Sequence, residues 1–137
     1  MKVIADTSFV IAVTVATDSN HQRCLAVWRQ QNVIYLPQST LAEVMYLITK
    51  EVGNRAAARF LTGLPKSKYR LMPLEDADIA RTADILVRYA DSWVDFVDAS
   101  IIAIAERLNI TRVLTLDQRD FALVRPLHAE RFDLLPT

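Results

Sequence analysis

The sequence predicts an α/β fold: a three-layer α/β/α arrangement around a central, mostly parallel sheet of four to five strands. Three observations carry that prediction. Short β-rich runs alternate with helices or helix pairs along the whole chain, an order that sets strands parallel with helices on both faces. Two of the helical segments are apolar almost throughout, as elements packed onto a sheet must be. The chain has 137 residues, 52% of them apolar and 23% charged, which is the size and balance of one folded domain spanning residues 1–137.

The elements follow in order. Lys2–Ala5 is the first strand and Thr7–Ala16 a buried helix. Met1-Lys2 before the apolar run Val3–Ala16 imitates a signal peptide, but Asp6 interrupts the run and no small-residue cleavage site follows. The run is therefore assigned to the folded domain. Ser19 and Gln22 form a capping-box pattern opening a helix that reaches about Gln31. Val33–Leu36 is the second strand, stopped by Pro37. Thr40 to about Val52 is a strongly apolar helix, Gly53 breaks it, and Asn54–Leu64 is the next helix. Pro65–Lys68 is a loop and Tyr69–Met72 the third strand. Glu75–Ala90 is an amphipathic helix with acids in its first turn, where the helix dipole favours them. Trp93–Leu108 is an apolar helix with Ser92 as its cap. Arg112–Leu116 is the fourth strand, Asp117–Val124 a short helix and Phe132–Leu135 a last strand. Trp28, Tyr69 and Trp93 could stack bases, but each is assigned to the core.

The rare residues exclude several functions. The only glycines are Gly53 and Gly63, which rules out both a dinucleotide fingerprint and a phosphate-binding Walker loop. Cys24 is the only cysteine, so no intrachain disulfide forms, and a lone thiol fits a reducing, cytoplasmic setting. Cys24, His21 and His128 are one ligand short of a closed structural zinc site. The two histidines lack a neighbouring nucleophile pattern. No run reaches the ~18 apolar residues of a membrane span. Lys plus Arg equals Asp plus Glu, at 16 each, so no global basic field exists to hold nucleic acid.

Four acids sit in the most apolar parts of the chain. Asp6 directly follows the first strand, and Asp117 directly follows the fourth. Glu43 is the only charge between Pro37 and Ile48, and Asp98 the only one between Phe96 and Ala105. Helix capping is a second reading for three of them: Asp6 at the first helix, Glu43 in a Thr40-x-x-Glu box, Asp117 before Gln118. Asp98 has no such reading, because a Ser92 cap puts it beyond the first turn. Asp95 is three residues after Ser92 and shares a helical face with Asp98, so it is both a capping and an auxiliary candidate. Open parallel sheets place their sites outside the carboxyl ends of the strands. Carboxylates converging there without soft ligands make an oxygen-only site suited to Mg²⁺ or Mn²⁺ and to phosphodiester chemistry.

These residues resemble a known family. Asp6-Thr7-Ser8, the Glu43 helix, Asp98-Ala99-Ser100-Ile101 and Thr115-Leu116-Asp117-Gln118-Arg119-Asp120-Phe121 occur in the order seen in PIN domains. The resemblance covers nearly the whole chain. It is nearest to the small PIN ribonucleases that act as VapC-type toxins in toxin–antitoxin pairs. It implies a PIN-like fold and a Mg²⁺- or Mn²⁺-dependent endoribonuclease. Asp6, Glu43, Asp98 and Asp117 match the catalytic, metal-holding acids, with Thr7 and Thr115 as polar neighbours. It also implies a cognate antitoxin and a homodimer; independently, the helices Thr40–Lys50 and Asn54–Leu64 carry more apolar residues than one sheet face is expected to cover, as self-association requires.

The charge is segregated. Residues 50–70 carry a net +5 and residues 75–98 a net −5, a basic segment beside an acidic one, as cleavage of a polyanion such as RNA requires. Arg119, next to Asp117, is the expected phosphate contact. Two rivals remain. A phosphatase with an aspartate nucleophile requires D-x-D, and here Ser8 occupies the third position. A non-catalytic PIN-like module binding RNA or protein normally lacks some of the acids, and here all four are present.

Overall fold

In the computed structural model, which describes residues 1–137, five strands form one sheet. They are β1 (Val3–Ala5), β2 (Ile34–Pro37), β3 (Tyr69–Met72), β4 (Arg112–Leu114) and β5 (Asp133–Leu135). The order is β3-β2-β1-β4-β5, and every neighbouring pair is parallel. The helices are α1 (Thr7–Thr14), α2 (His21–Arg29), α3 (Leu41–Glu51), α4 (Asn54–Gly63), α5 (Asp76–Arg88), α6 (Phe96–Arg107) and α7 (Gln118–Leu123). Single 3₁₀ turns cover Gln38–Thr40 and Leu64–Lys66. This is the α/β/α architecture expected from the alternation of elements.

The strands show the two-residue period in their packing. Val3 and Ala5 of β1 face one core with Ile34, Leu36 and Leu114, while Ile4 and Val113 face the other. Helices α1 to α4 cover the first face, and α5 to α7 the second. Both crossovers that step from β1 to β2 to β3 use the first face. The return to β4, on the far side of β1, uses the second, as a constant crossover hand demands. The chain therefore reverses direction between β1 and β4, and a crevice opens at their carboxyl ends.

Gly53 divides α3 from α4 at φ +113, a backbone conformation that a side chain would strain. Its N–H still donates to Ile48 O at 3.1 Å. No helix is long and apolar enough to cross a membrane.

Three local expectations are corrected. The Ser19–Gln22 capping box does not form. Asp18 Oδ1 accepts the Asn20 N–H at 2.8 Å, and this Asx turn delays α2 until His21. Helix α6 begins at Phe96, not Trp93, because Ser92 is engaged elsewhere: its hydroxyl donates to Tyr89 O at 2.6 Å. Asp95 is the cap instead, accepting the Asp98 N–H at 3.0 Å. Asp98 thus lies in the first turn, where the helix dipole does favour it. Trp93 is the third correction. It lies outside the helix and is 82% exposed, so it is not part of the core.

Candidate active site

Strand ends, a helix start and a helix turn bring the four singled-out acids to one cavity. Its volume is about 150 Å³, and Asp6, Glu43, Asp98 and Asp117 all line it, together with Asp95 and Asp120. Each arrives on a different element: Asp6 at the end of β1, Glu43 in the first turn of α3, Asp98 in the first turn of α6, and Asp117 ahead of α7. A second, wider cavity of about 540 Å³ adjoins it, sharing Thr7, Glu43 and Asp117 and adding Ser8 and Tyr46.

Asp6 is the buried anchor, only 3% exposed. Its Oδ1 accepts from the Phe9 N–H at 3.1 Å, so the capping reading of Asp6 holds. The same oxygen accepts from Ser8 Oγ at 2.6 Å, and Oδ2 accepts from Thr115 Oγ1 at 2.5 Å. Those hydroxyls also lace β1 to β4. Thr115 Oγ1 accepts from the Asp117 N–H at 2.8 Å, and Ser8 Oγ accepts from the Leu116 N–H at 2.9 Å. Capping and site geometry are thus one structure here. The D-T-S triplet turns the chain from strand to helix, and the turn aims a carboxylate into the crevice.

Glu43 does not form the Thr40 capping box. Thr40 Oγ1 donates to Pro37 O at 2.8 Å, and Glu43 Oε1 accepts from Thr7 Oγ1 at 2.7 Å. Asp117 occupies the N-cap position of α7 without a side-chain cap bond, leaving its carboxylate free. The 3₁₀ turn ahead of α3 is tied to α6 near the site by the Ser39–Ser100 hydroxyl pair at 2.7 Å. Because Ser100 Oγ donates to Val97 O at 2.7 Å, Ser39 is the donor of that pair.

The electrostatics are one-sided. The chain's four ion pairs involve Arg81, Arg107 and Arg112, and none reaches this cavity. Burial pushes the Asp6 carboxyl up to about 6; its three hydrogen bonds pull it back, and Asp117 pushes it further. Asp98 is pushed up to about 8, by desolvation first and then by the charges of Asp95, Asp120 and Asp6. Desolvation, then Asp120 and Asp95, raises Asp117 as well. These carboxyls raise one another because they share a field with no cation in it. No three acidic, histidine or cysteine side chains are gathered into a finished coordination sphere. The acids line a wall, with Glu43 and Asp6 turned toward hydroxyl donors. An oxygen-only donor set of this kind fits a hard divalent cation.

The auxiliary candidates fall close by. Thr7 and Thr115 orient Glu43 and Asp6, and Asp95 lines the cavity while capping α6. Arg119 is exposed in an adjoining recess of about 290 Å³ beside Asp117 and Asp120. The histidines are structural: His21 Nδ1 lies 2.7 Å from Ala12 O, and His128 Nε2 lies 2.6 Å from Ile110 O. Sequence reasoning left two residues without a role in the site and misplaced a third. Ser8 enters only through the Asp6-Thr7-Ser8 triplet and the missing D-x-D, although its place two residues after Asp6 is an Asx-turn signal. Asp120 enters only as a letter of the Thr115–Phe121 motif, although it lies a single helical turn from Asp117. Trp93, weighed as a base stacker, is misplaced in the core, because a loop residue has no periodicity to reveal its exposure.

Comparison with known proteins agrees with this architecture. Ribonuclease VapC26 of Mycobacterium tuberculosis is 29% identical over 136 residues, covering 97% of this chain and 99% of that protein. The crystal structure of Mycobacterium tuberculosis VapC20, a sarcin-ricin loop cleaving toxin, superposes with a TM-score of 0.75 at 24% identity, over 81% of this chain and 86% of that one. A toxin-antitoxin complex from Klebsiella pneumoniae gives a TM-score of 0.67 at 19% identity, over 89% of this chain and 92% of that one. The PIN domain family model matches residues 3–125, a span that runs from β1 through α7 and includes every acid of the cavity. The chain belongs to the PIN domain family.

Proposed function

We propose that this protein is a divalent-metal-dependent endoribonuclease, the toxin of a toxin–antitoxin pair. The observation that carries the reading is the cavity at the β1–β4 crevice, where the buried Asp6, the half-buried Glu43 and Asp98, and Asp117 line one wall with no cationic side chain. Fold stability alone does not account for such an arrangement, because unpaired buried charge is costly. The kinship to a ribonuclease and to toxins of this fold supports the substrate class.

Asp6, Glu43, Asp98 and Asp117 are the residues that would hold Mg²⁺ or Mn²⁺. Bound there, such an ion lowers the pKa of a water and offsets charge on the scissile phosphate. The chain's own part is positioning. Ser8, Thr115 and the Phe9 N–H fix Asp6, Thr7 fixes Glu43, and the Asp95 cap fixes the start of the helix that carries Asp98. Arg119 meets a phosphate of the RNA beside the cavity. The histidines are committed to backbone carbonyls, so cleavage through the RNA's 2′-hydroxyl has no histidine acid–base pair. Hydrolysis leaves a 5′-phosphate and a 3′-hydroxyl. A cognate antitoxin covers the cleft. A homodimer forms through α3 and α4, where Tyr46, Val52 and Leu61 lie exposed, and the setting is the cytoplasm.

The test is cleavage of single-stranded RNA in Mn²⁺ and in chelator, with the product ends identified. Cyclic phosphate ends, or full activity in chelator, overturn the metal mechanism. Metal-dependent binding of RNA without any cleavage establishes the non-catalytic module instead.

A further inference from the structure

Trp93 is the most exposed aromatic ring of the chain, at 82%, and nothing in the fold uses it. Tryptophan is a costly residue to leave in water. The other tryptophan, Trp28, is half-buried, with Lys68 Nζ 3.7 Å from its ring centroid. Trp93 is also held in place. On one side Ser92 Oγ donates to Tyr89 O at 2.6 Å and accepts the Val94 N–H at 3.2 Å. On the other side Val94 is buried. The backbone is anchored on both sides of an exposed ring.

Its position is the second observation. Trp93 lines the acidic cavity and also the recess that holds Arg119 and Gln118, and the only other residues common to both are Asp117 and Asp120. One flat ring thus stands where the two meet. Arg119 is exposed and in no ion pair, so its guanidinium is free for an anion. A protein-docking surface centres aromatic rings in an apolar patch. Here the residues that share the recess are mostly polar or charged, which suits a flat group with polar edges on an anionic backbone.

We propose that Trp93 is a base-stacking platform that seats a nucleobase of single-stranded RNA next to the carboxylate cavity, with Arg119 on the neighbouring phosphate. The inference rests on the ribonuclease reading and adds a substrate-positioning residue to it. A nucleotide seated there holds its chain across Asp117, between the recess and the cavity. Stacking accepts any base face, so Trp93 contributes affinity and register and leaves base identity to other contacts.

Two measurements test it. The first is steady-state cleavage of a short single-stranded RNA in Mn²⁺ by the wild type, Trp93→Ala and Trp93→Phe. Trp93→Ala raises KM about tenfold or more, Trp93→Phe restores most of the loss, and thermal melts of all three coincide. Unchanged KM in Trp93→Ala, or a Phe variant as impaired as the Ala variant, overturns the stacking role. The second is quenching of tryptophan emission by oligoribonucleotides in an Asp98→Asn background, which binds without cutting. A base-bearing oligomer quenches, its abasic counterpart does not, and Trp93→Leu removes the response. Equal quenching by both, or none by either, also overturns the proposal, and the ring is then a contact for a protein partner. A wild type that cuts no RNA sinks the ribonuclease reading alone, since the quenching titration still scores the stack.

Discussion

Asp78 and Asp6 are equally buried, at 2% and 3% exposure, and the protein treats them in opposite ways. Asp78 sits between α5 and α6 with Arg107 Nη2 at 3.0 Å and accepts the Glu75 N–H at 2.9 Å. Around it Arg107 also pairs with Glu75 at 2.9 Å, and Arg81 grips Glu106 through two bonds of 2.8 and 3.1 Å. Every acid of that cluster has an arginine. Asp6 has only neutral donors, and its neighbours Asp98, Asp117, Asp95 and Asp120 bring no cation at all. The α5–α6 cluster is what acids look like when they hold a fold together. The β1–β4 cleft gathers its acids without an arginine.

The largest expected effect separates the two regions by function. Asp98→Asn keeps the shape of the cleft and removes one charge. RNA cleavage should fall by about a thousandfold, the several kcal/mol that metal-assisted charge stabilisation supplies. In chelator the variant should melt no lower than the wild type, and added Mn²⁺ should raise the wild-type Tm more than the variant's. A strongly destabilised Asp98→Asn in chelator would mean that the cleft resembles the α5–α6 cluster after all.

Asp78→Ala should give the reverse pattern. It strips Arg107 of its buried partner and the Glu75 N–H of its acceptor. A loss of about 3 kcal/mol is expected, at the low end for a broken buried pair because Arg107 is 26% exposed. Denaturant melts measure it, and specific activity below the transition should be unchanged.

The pH dependence sharpens the contrast further. Asp98 and Asp6 have folded-state pKa values near 8 and 6, above the ordinary 3.8. Between those limits the folded chain binds more protons than the unfolded one, so stability falls as pH rises. The metal-free protein should therefore be more stable at pH 5 than at pH 8. Asp98 is only partly buried and solvent screens it, which keeps the difference to about 1–2 kcal/mol. Asp98→Asn should flatten the slope, and Mn²⁺ should shrink it. A profile rising from pH 5 to 8 would contradict the crowding of the cleft.

The smallest effect is a control. Arg112 and Asp133 pair at 2.8 Å on the sheet surface, with side chains 30% and 53% exposed. Asp133→Ala should cost less than about 0.5 kcal/mol, since exposed pairs exchange water for little gain. A larger loss would show that this pair pins β5 to β4.

Much of the fold was legible because its signals are local. Each strand core was placed from β-rich runs and each break from Pro37 or Gly53, and β3 lies at the expected residues. The helix starts were harder. Ser19, Thr40 and Ser92 all had the composition of caps, and none caps, because Asp18, Pro37 O and Tyr89 O engage the neighbouring donors first. A cap pattern states which bonds are possible, and competition among nearby groups decides which one forms. The acids were legible as misplaced charge in apolar sequence. Asp120 was not, because an acid in the first turn of α7 is unremarkable until that turn is seen to face the cavity.

By itself the sequence determined the parallel α/β class, the strand positions and the presence of four carboxylates at odds with their surroundings. All three are written in short-range patterns of burial and turn. Only the tertiary structure decided that those carboxylates meet, that no arginine joins them, and that Trp93 stands exposed at their edge. The order β3-β2-β1-β4-β5 brings the ends of β1 and β4 side by side, although they lie at opposite ends of the chain. That pairing is set by which edge of the sheet the returning strand can reach and by the hand of the crossover, and no local stretch of sequence encodes either.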